Sequence, residues 1–145
     1  MSTGALSDAE FLKAVEEATY PGEQFGHRGH LWLGWLCLRA HGFEGGVERM
    51  RTLLRHYATA LGAAEKFHET VTRAWAERMH AALEATPELD TFEAFLAAHP
   101  ELLNAGLLAR HYRKETLDSP AAKAGWVPPD LEPFRRRGEP RAGGQ

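Results

Sequence analysis

Gly26-His27-Arg28-Gly29-His30-Leu31-Trp32-Leu33-Gly34-Trp35-Leu36-Cys37-Leu38 is the stretch whose reading decides the fold. Its apolar half, Leu31 to Leu38, leaves almost no polar face, so a helix formed here has to be covered on every side. That places it in the middle of a helical bundle, over about residues 26–40. His41-Gly42 closes it, because glycine takes the left-handed conformation that ends a helix.

Working outward, the chain on both sides reads as helix. Ser7 and Glu10 have the spacing of a capping box and open a helix over about 8–19, which Pro21-Gly22 stops. After Gly42, Val47, Met50, Leu54, Tyr57 and Leu61 form one stripe of a helix over about 44–61. A further helix over about 64–85 carries Trp75, Met79 and Leu83 inward and ends before Pro87. Asp90 or Thr91 caps a shorter one through Ala98, and Pro100 starts another through about Tyr112. From Thr116 prolines and glycines thicken. The segment Trp126-Val127-Pro128-Pro129-Asp130-Leu131 is expected to lie extended over the bundle, anchored by Trp126 and Leu131. The expected architecture is therefore all-α: one compact bundle of four to six helices over residues 1–134 with an extended proline-rich C-terminal segment, then a disordered tail at 135–145.

Composition agrees with one ordinary globular domain: 145 residues, 43% hydrophobic and 26% charged. A net charge of -3 gives no attraction to nucleic acid, and the one basic run, Arg135-Arg136-Arg137, falls in the polar tail. Leu31 to Leu38 is too short to span a bilayer, and the first residues have no basic region followed by an apolar one. The expectation is a cytoplasmic protein that engages neither nucleic acid nor membrane. Cys37 is the single cysteine, so neither an internal disulfide nor a thiolate cluster is available. Flanked by Leu36 and Leu38, it should be packed and unreactive.

The residues that suggest chemistry are histidines. His27 and His30 lie three apart on the face shared by Leu31, Gly34 and Leu38, which is an inward direction. His68 shares a stripe with Thr72, Trp75 and Met79, and Glu69 stands at its margin. Buried imidazoles need partners, so three in one neighbourhood point to a site. Glu65 with His68 and Glu77 with His80 have the Glu-x-x-His spacing of carboxylate-bridged metal centres, but about 18 Å separates the two pairs along one helix. His27, His30 and His68 instead suit one divalent transition metal ion, zinc, iron, copper or manganese, with an open position for water or substrate. Glu69 would be a fourth ligand or general base, with Thr72 beside it. Trp32, Trp35, Trp75 and Tyr57 read as core, some of them as walls of an apolar pocket.

Phe25-Gly26-His27-Arg28-Gly29-His30-Leu31 and Lys66-Phe67-His68-Glu69-Thr70-Val71-Thr72, with His99-Pro100-Glu101-Leu102 further on, resemble a family of small uncharacterised bacterial helical proteins over about residues 20–134. Its motifs are similar to F-x-H-x-x-H-L and K-Y-H-E-T-x-T, with Phe67 here in place of tyrosine. The resemblance implies a helical fold and a common role for the three histidines, but no reaction. Three functions stay open. The first is a metal-dependent enzyme acting on a small organic molecule. The second is a metal-free lyase, isomerase or cyclase in which the same histidines move protons. The third is a non-catalytic helical module that binds a ligand or partner.

Overall fold

The computed structural model describes residues 6–134, and the polar tail expected to be disordered lies outside them. Among the described residues the chain is all-α and compact, with no strand. Helix α1 (Asp8–Glu16) opens with the expected capping box: the Ser7 Oγ accepts from the Glu10 N–H at 3.1 Å, and a Glu10 carboxylate oxygen accepts from the Ser7 N–H at 2.9 Å. It ends sooner than Pro21 requires, because Ala18 turns left-handed at φ 58 and both Thr19 and Tyr20 donate back to the Ala14 carbonyl. Phe11 and Val15 are fully buried, and Trp32 stacks on Phe11 at 3.9 Å while its indole N–H donates to Asp8 at 2.8 Å.

Helix α2 (His27–Ala60) is continuous in hydrogen bonding but broken in direction at Gly42, whose φ of 75 and ψ of -170 are outside the helical region. The expected stop at Gly42 is therefore real, with no loop around it. A Cβ on Gly46 would come within 2.8 Å of the Leu38 Cα. Eight residues of straight helix span about 12 Å, so this approach means that the limb 43–60 turns back along the limb 27–41. The two limbs bury Leu31, Leu33, Trp35 and Leu38 from one side and Val47, Met50, Leu54 and Tyr57 from the other. Leu61, at the end of the expected stripe, is left exposed.

Helix α3 (Glu69–Ala85) packs against α2 and buries Trp75 and Met79. It begins later than the periodicity suggests, after a short 3-10 turn at Ala64–Lys66, and His68 is its N-cap, not a residue of its inner stripe. Helix α4 (Phe92–Ala98) is capped by the Thr91 hydroxyl, which accepts from the Ala94 N–H at 3.1 Å. The single helix expected over 100–112 is instead two 3-10 segments, Pro100–Leu103 and Ala105–Arg110. Asn104 divides them, because its side-chain oxygen accepts from the Gly106 N–H at 3.0 Å and holds an extended backbone. Two short helices, α5 (Lys114–Leu117) and α6 (Pro120–Ala124), fill ground read as irregular, α6 starting from a Ser119 cap with Pro120 at its first position.

Residues 125–134 then run over the bundle as expected, tied mainly by backbone groups. Thr70 donates to the Gly125 carbonyl at 2.7 Å and accepts from the Val127 N–H at 3.0 Å. Tyr112 donates to the Val127 carbonyl at 2.6 Å, and His111 donates through Nδ1 to the Glu132 carbonyl at 2.6 Å. Trp126 is half-buried beneath the Arg73 guanidinium, whereas Leu131 is 45% exposed and anchors nothing with its side chain. Phe134, stacked on His111 at 4.1 Å, takes that place. No helix of the described residues is long and apolar enough to cross a membrane.

Gly46→Ala is expected to cost about 2 kcal/mol in urea unfolding, since its methyl meets the Leu38 Cα and the Cys37 carbonyl as well as the Leu38 Cδ2, and the backbone atoms cannot swing aside. Cys37 is 3% exposed and burial pushes its thiol up to about 12, so a thiol reagent should label it slowly in the folded protein and rapidly in urea.

Candidate functional site

His27, His30 and His68 each line one cavity of about 720 Å3 between α2 and α3. The first limb of α2 contributes His27, His30 and Leu31, and the returning limb contributes Met50, Leu54 and Tyr57. From α3 come Val71, Thr72 and Trp75, with His68 at its cap. Phe25 and Phe67 complete the wall, each standing one residue before the N-cap of the helix that follows it. At that position an apolar side chain packs back over the first turn, as Phe25 does on the His30 ring at 4.4 Å. Glu23 and Lys66 are the charged residues on the lining.

Each imidazole is held by the backbone. His27 donates through Nε2 to the Leu102 carbonyl at 2.7 Å, its ring 4.6 Å from that of Trp75. His30 donates through Nδ1 to the Gly26 carbonyl at 3.0 Å. Since a carbonyl only accepts, these contacts place the proton and leave Nδ1 of His27 and Nε2 of His30 as bare lone pairs when the rings are neutral. The expected burial of the three rings is not found: His30 is exposed, and His27 and His68 are half-buried. The protein packed about the His30 ring still removes enough hydration to lower its pKa; the Gly26 carbonyl partly opposes the effect and His27 adds to it. His68 has nothing to spare: Nδ1 accepts from the Val71 N–H at 3.1 Å, and Nε2 donates to the Leu117 carbonyl at 2.7 Å.

The metal-centre expectation is therefore overturned. Among the described residues no group of three or more His, Cys, Asp or Glu is arranged to hold a metal ion. Of the three proposed ligands only His27 and His30 retain a free lone pair, one short of the three protein donors that a catalytic zinc site uses. Glu69 supplies no fourth donor, because Arg51 grips its carboxylate through three contacts of 2.6 to 3.1 Å. That hydrogen bonding is the main reason the Glu69 carboxyl lies below the usual carboxylate range, opposed by burial. Glu69 is also absent from the cavity wall, so it neither coordinates there nor sets the pKa of the histidines by contact. Glu65 and His68 occupy a 3-10 turn and a cap, so their spacing does not put them on one helical face.

Thr72 does reach the cavity, but its hydroxyl donates to the His68 carbonyl at 2.8 Å. Tyr57 behaves likewise, donating to the Tyr20 carbonyl at 2.5 Å. Of the four aromatic residues offered as walls, Trp75 and Tyr57 serve and Trp32 and Trp35 do not. Sequence reasoning missed Phe25 and Phe67, although both sit inside the quoted motifs beside His27 and His68. It also set aside His111, which is 1% exposed, accepts from Arg78 at 3.3 Å and secures the C-terminal segment.

Two histidines make stability sensitive to acid. Burial lowers the pKa of His30 and of His111, so the folded chain binds fewer protons than the unfolded one as pH falls through about 6.5. Urea unfolding should show lower stability at about pH 5.5 than at about pH 7.5, and His30→Asn should narrow the difference. At neutral pH, His68→Ala should cost about 1 to 2 kcal/mol through loss of the α3 cap and the Leu117 contact.

No family model, curated protein or solved structure matches the chain, so the site is read from its own geometry.

Proposed function

We propose that the protein binds a small, largely apolar organic molecule in the cavity between α2 and α3. The observation that carries this is the cavity itself: about 720 Å3, walled by Phe25, Tyr57, Phe67, Trp75 and aliphatic side chains, with a few fixed polar groups among them. Ligand sites have this size and this mixture, roughly 300–1,000 Å3 of apolar wall with a small number of orienting groups. The metal-free enzyme reading has Glu69 set the pKa of the histidines, and Glu69 is instead committed to Arg51 away from the wall. Binding is the function that the arrangement supports without a further group.

N-phenyl-1-naphthylamine, a neutral dye that brightens in apolar surroundings, should bind saturably with one site per chain. Ala58 lines the cavity, so Ala58→Trp should weaken the dye at least about fivefold while leaving the helical circular dichroism unchanged. Absence of saturable binding to the wild-type chain counts against the proposal, as does binding indifferent to Ala58→Trp.

A further inference from the structure

The uncharged polar side chains around the cavity share a property that their residue types do not require. His27, His30, Tyr57 and Thr72 each have a hydrogen to donate, and each spends it on a backbone carbonyl: those of Leu102, Gly26, Tyr20 and His68 in turn. His68 has donated its own to Leu117 and given its lone pair to Val71. What these lining residues have left to offer is lone pairs: one ring nitrogen on each of His27 and His30, and hydroxyl oxygens on Tyr57 and Thr72. Four uncharged groups that only accept leave an entering carbonyl or carboxylate without donors from them, while they reward an O–H or N–H. An unpaired polar atom forced into an apolar site loses its hydration, so the mismatch discriminates.

We infer that the cavity selects a molecule with an apolar body and a hydrogen-bond donor, an alcohol, phenol or neutral amine, over the carboxylate of the same skeleton. This rests on the proposed ligand site and adds its chemical class. Lys66 on the lining and the first turn of α2, whose Gly26 cap offers no side chain, are the donors that an anion would need, and the experiment sets them against the acceptor wall. The low pKa of His30 keeps its ring an acceptor to lower pH than an ordinary histidine.

The probes are naphthalene, 2-naphthol, 2-naphthylamine and 2-naphthoate, titrated calorimetrically into the full chain at about pH 8, where imidazoles are neutral. The naphthol and the naphthylamine should bind about fivefold tighter than naphthalene, one net hydrogen bond's worth, and the naphthoate weaker than the naphthol. His30→Phe should abolish the preference for the naphthol over naphthalene, both measured on that variant. Should that variant unfold, Tyr57→Phe, which retains the ring, should show the same convergence in part. The inference is overturned if the naphthoate binds as tightly as the naphthol, or if the naphthol gains nothing over naphthalene. Failure of every probe, naphthalene included, overturns the ligand-site reading and this inference with it.

Discussion

The contact of Gly46 with Leu38 and the Cys37 carbonyl organises the molecule. A helix as apolar as 31–38 needs cover on all sides, and the nearest cover is the chain that follows it. Gly42 provides the reversal, with a positive φ that a side chain would resist, and Gly46 provides the close approach. Once the limbs lie together, α1 closes one flank through Phe11 and Trp32, and α3 closes another through Trp75 and Met79. The cavity follows from the same geometry, since the limbs stay packed near the bend while their far ends, at His27 and Tyr57, are lined by larger rings and bounded by Phe25 and Phe67.

Backbone carbonyls decide what the histidines are. An imidazole on an inward helical face reads from sequence as a ligand or a base, because its partner is invisible there. The partners here are Leu102, 75 residues from His27, and Leu117, 49 residues from His68. Local order supplies the rest: His30 returns to Gly26 one turn back, and His68 caps its own helix through Val71. The three imidazoles thus line one cavity with only two ring nitrogens left over, on His27 and His30.

What was legible followed from local physics. Ser7 with Glu10, Gly42 and Thr91 each act within a few residues, and each set a boundary where the sequence placed it. The apolar faces of 31–38 and 47–57 were legible because periodicity reports burial, but the same periodicity placed His30 inward, where it is exposed, and His27 and His68, which are half-buried. His68 was misread by one position: periodicity extended α3 backward through it, whereas the 3-10 turn at Ala64–Lys66 moved the helix start to Glu69 and made the imidazole a cap. The donor states of His27 and His68 were not legible, since carbonyls distant in sequence fix them. Ser119-Pro120 carries a cap signature that the surrounding prolines and glycines concealed, and α6 followed from it.

Helix α3 separates two environments of opposite character, and this accounts for the place of Glu69. Val71, Thr72 and Trp75 face the cavity. Thr70 and Arg73 face the other way, Thr70 binding the strand-like segment 125–127 and Arg73 lying over Phe43 and Trp126. Arg73 also approaches Glu77 at 3.7 Å, and Glu69 meets Arg51 of α2, so the buried carboxylates are neutralised on the side away from the cavity. Had Glu69 turned toward His27 and His30, it would have exchanged the Arg51 guanidinium for ring lone pairs and aromatic neighbours. The ion pair with Arg51 therefore does more than join α2 to α3. It withdraws the one carboxylate adjacent to the His68 cap from the cavity wall and leaves the interior apolar, with acceptor atoms at fixed places.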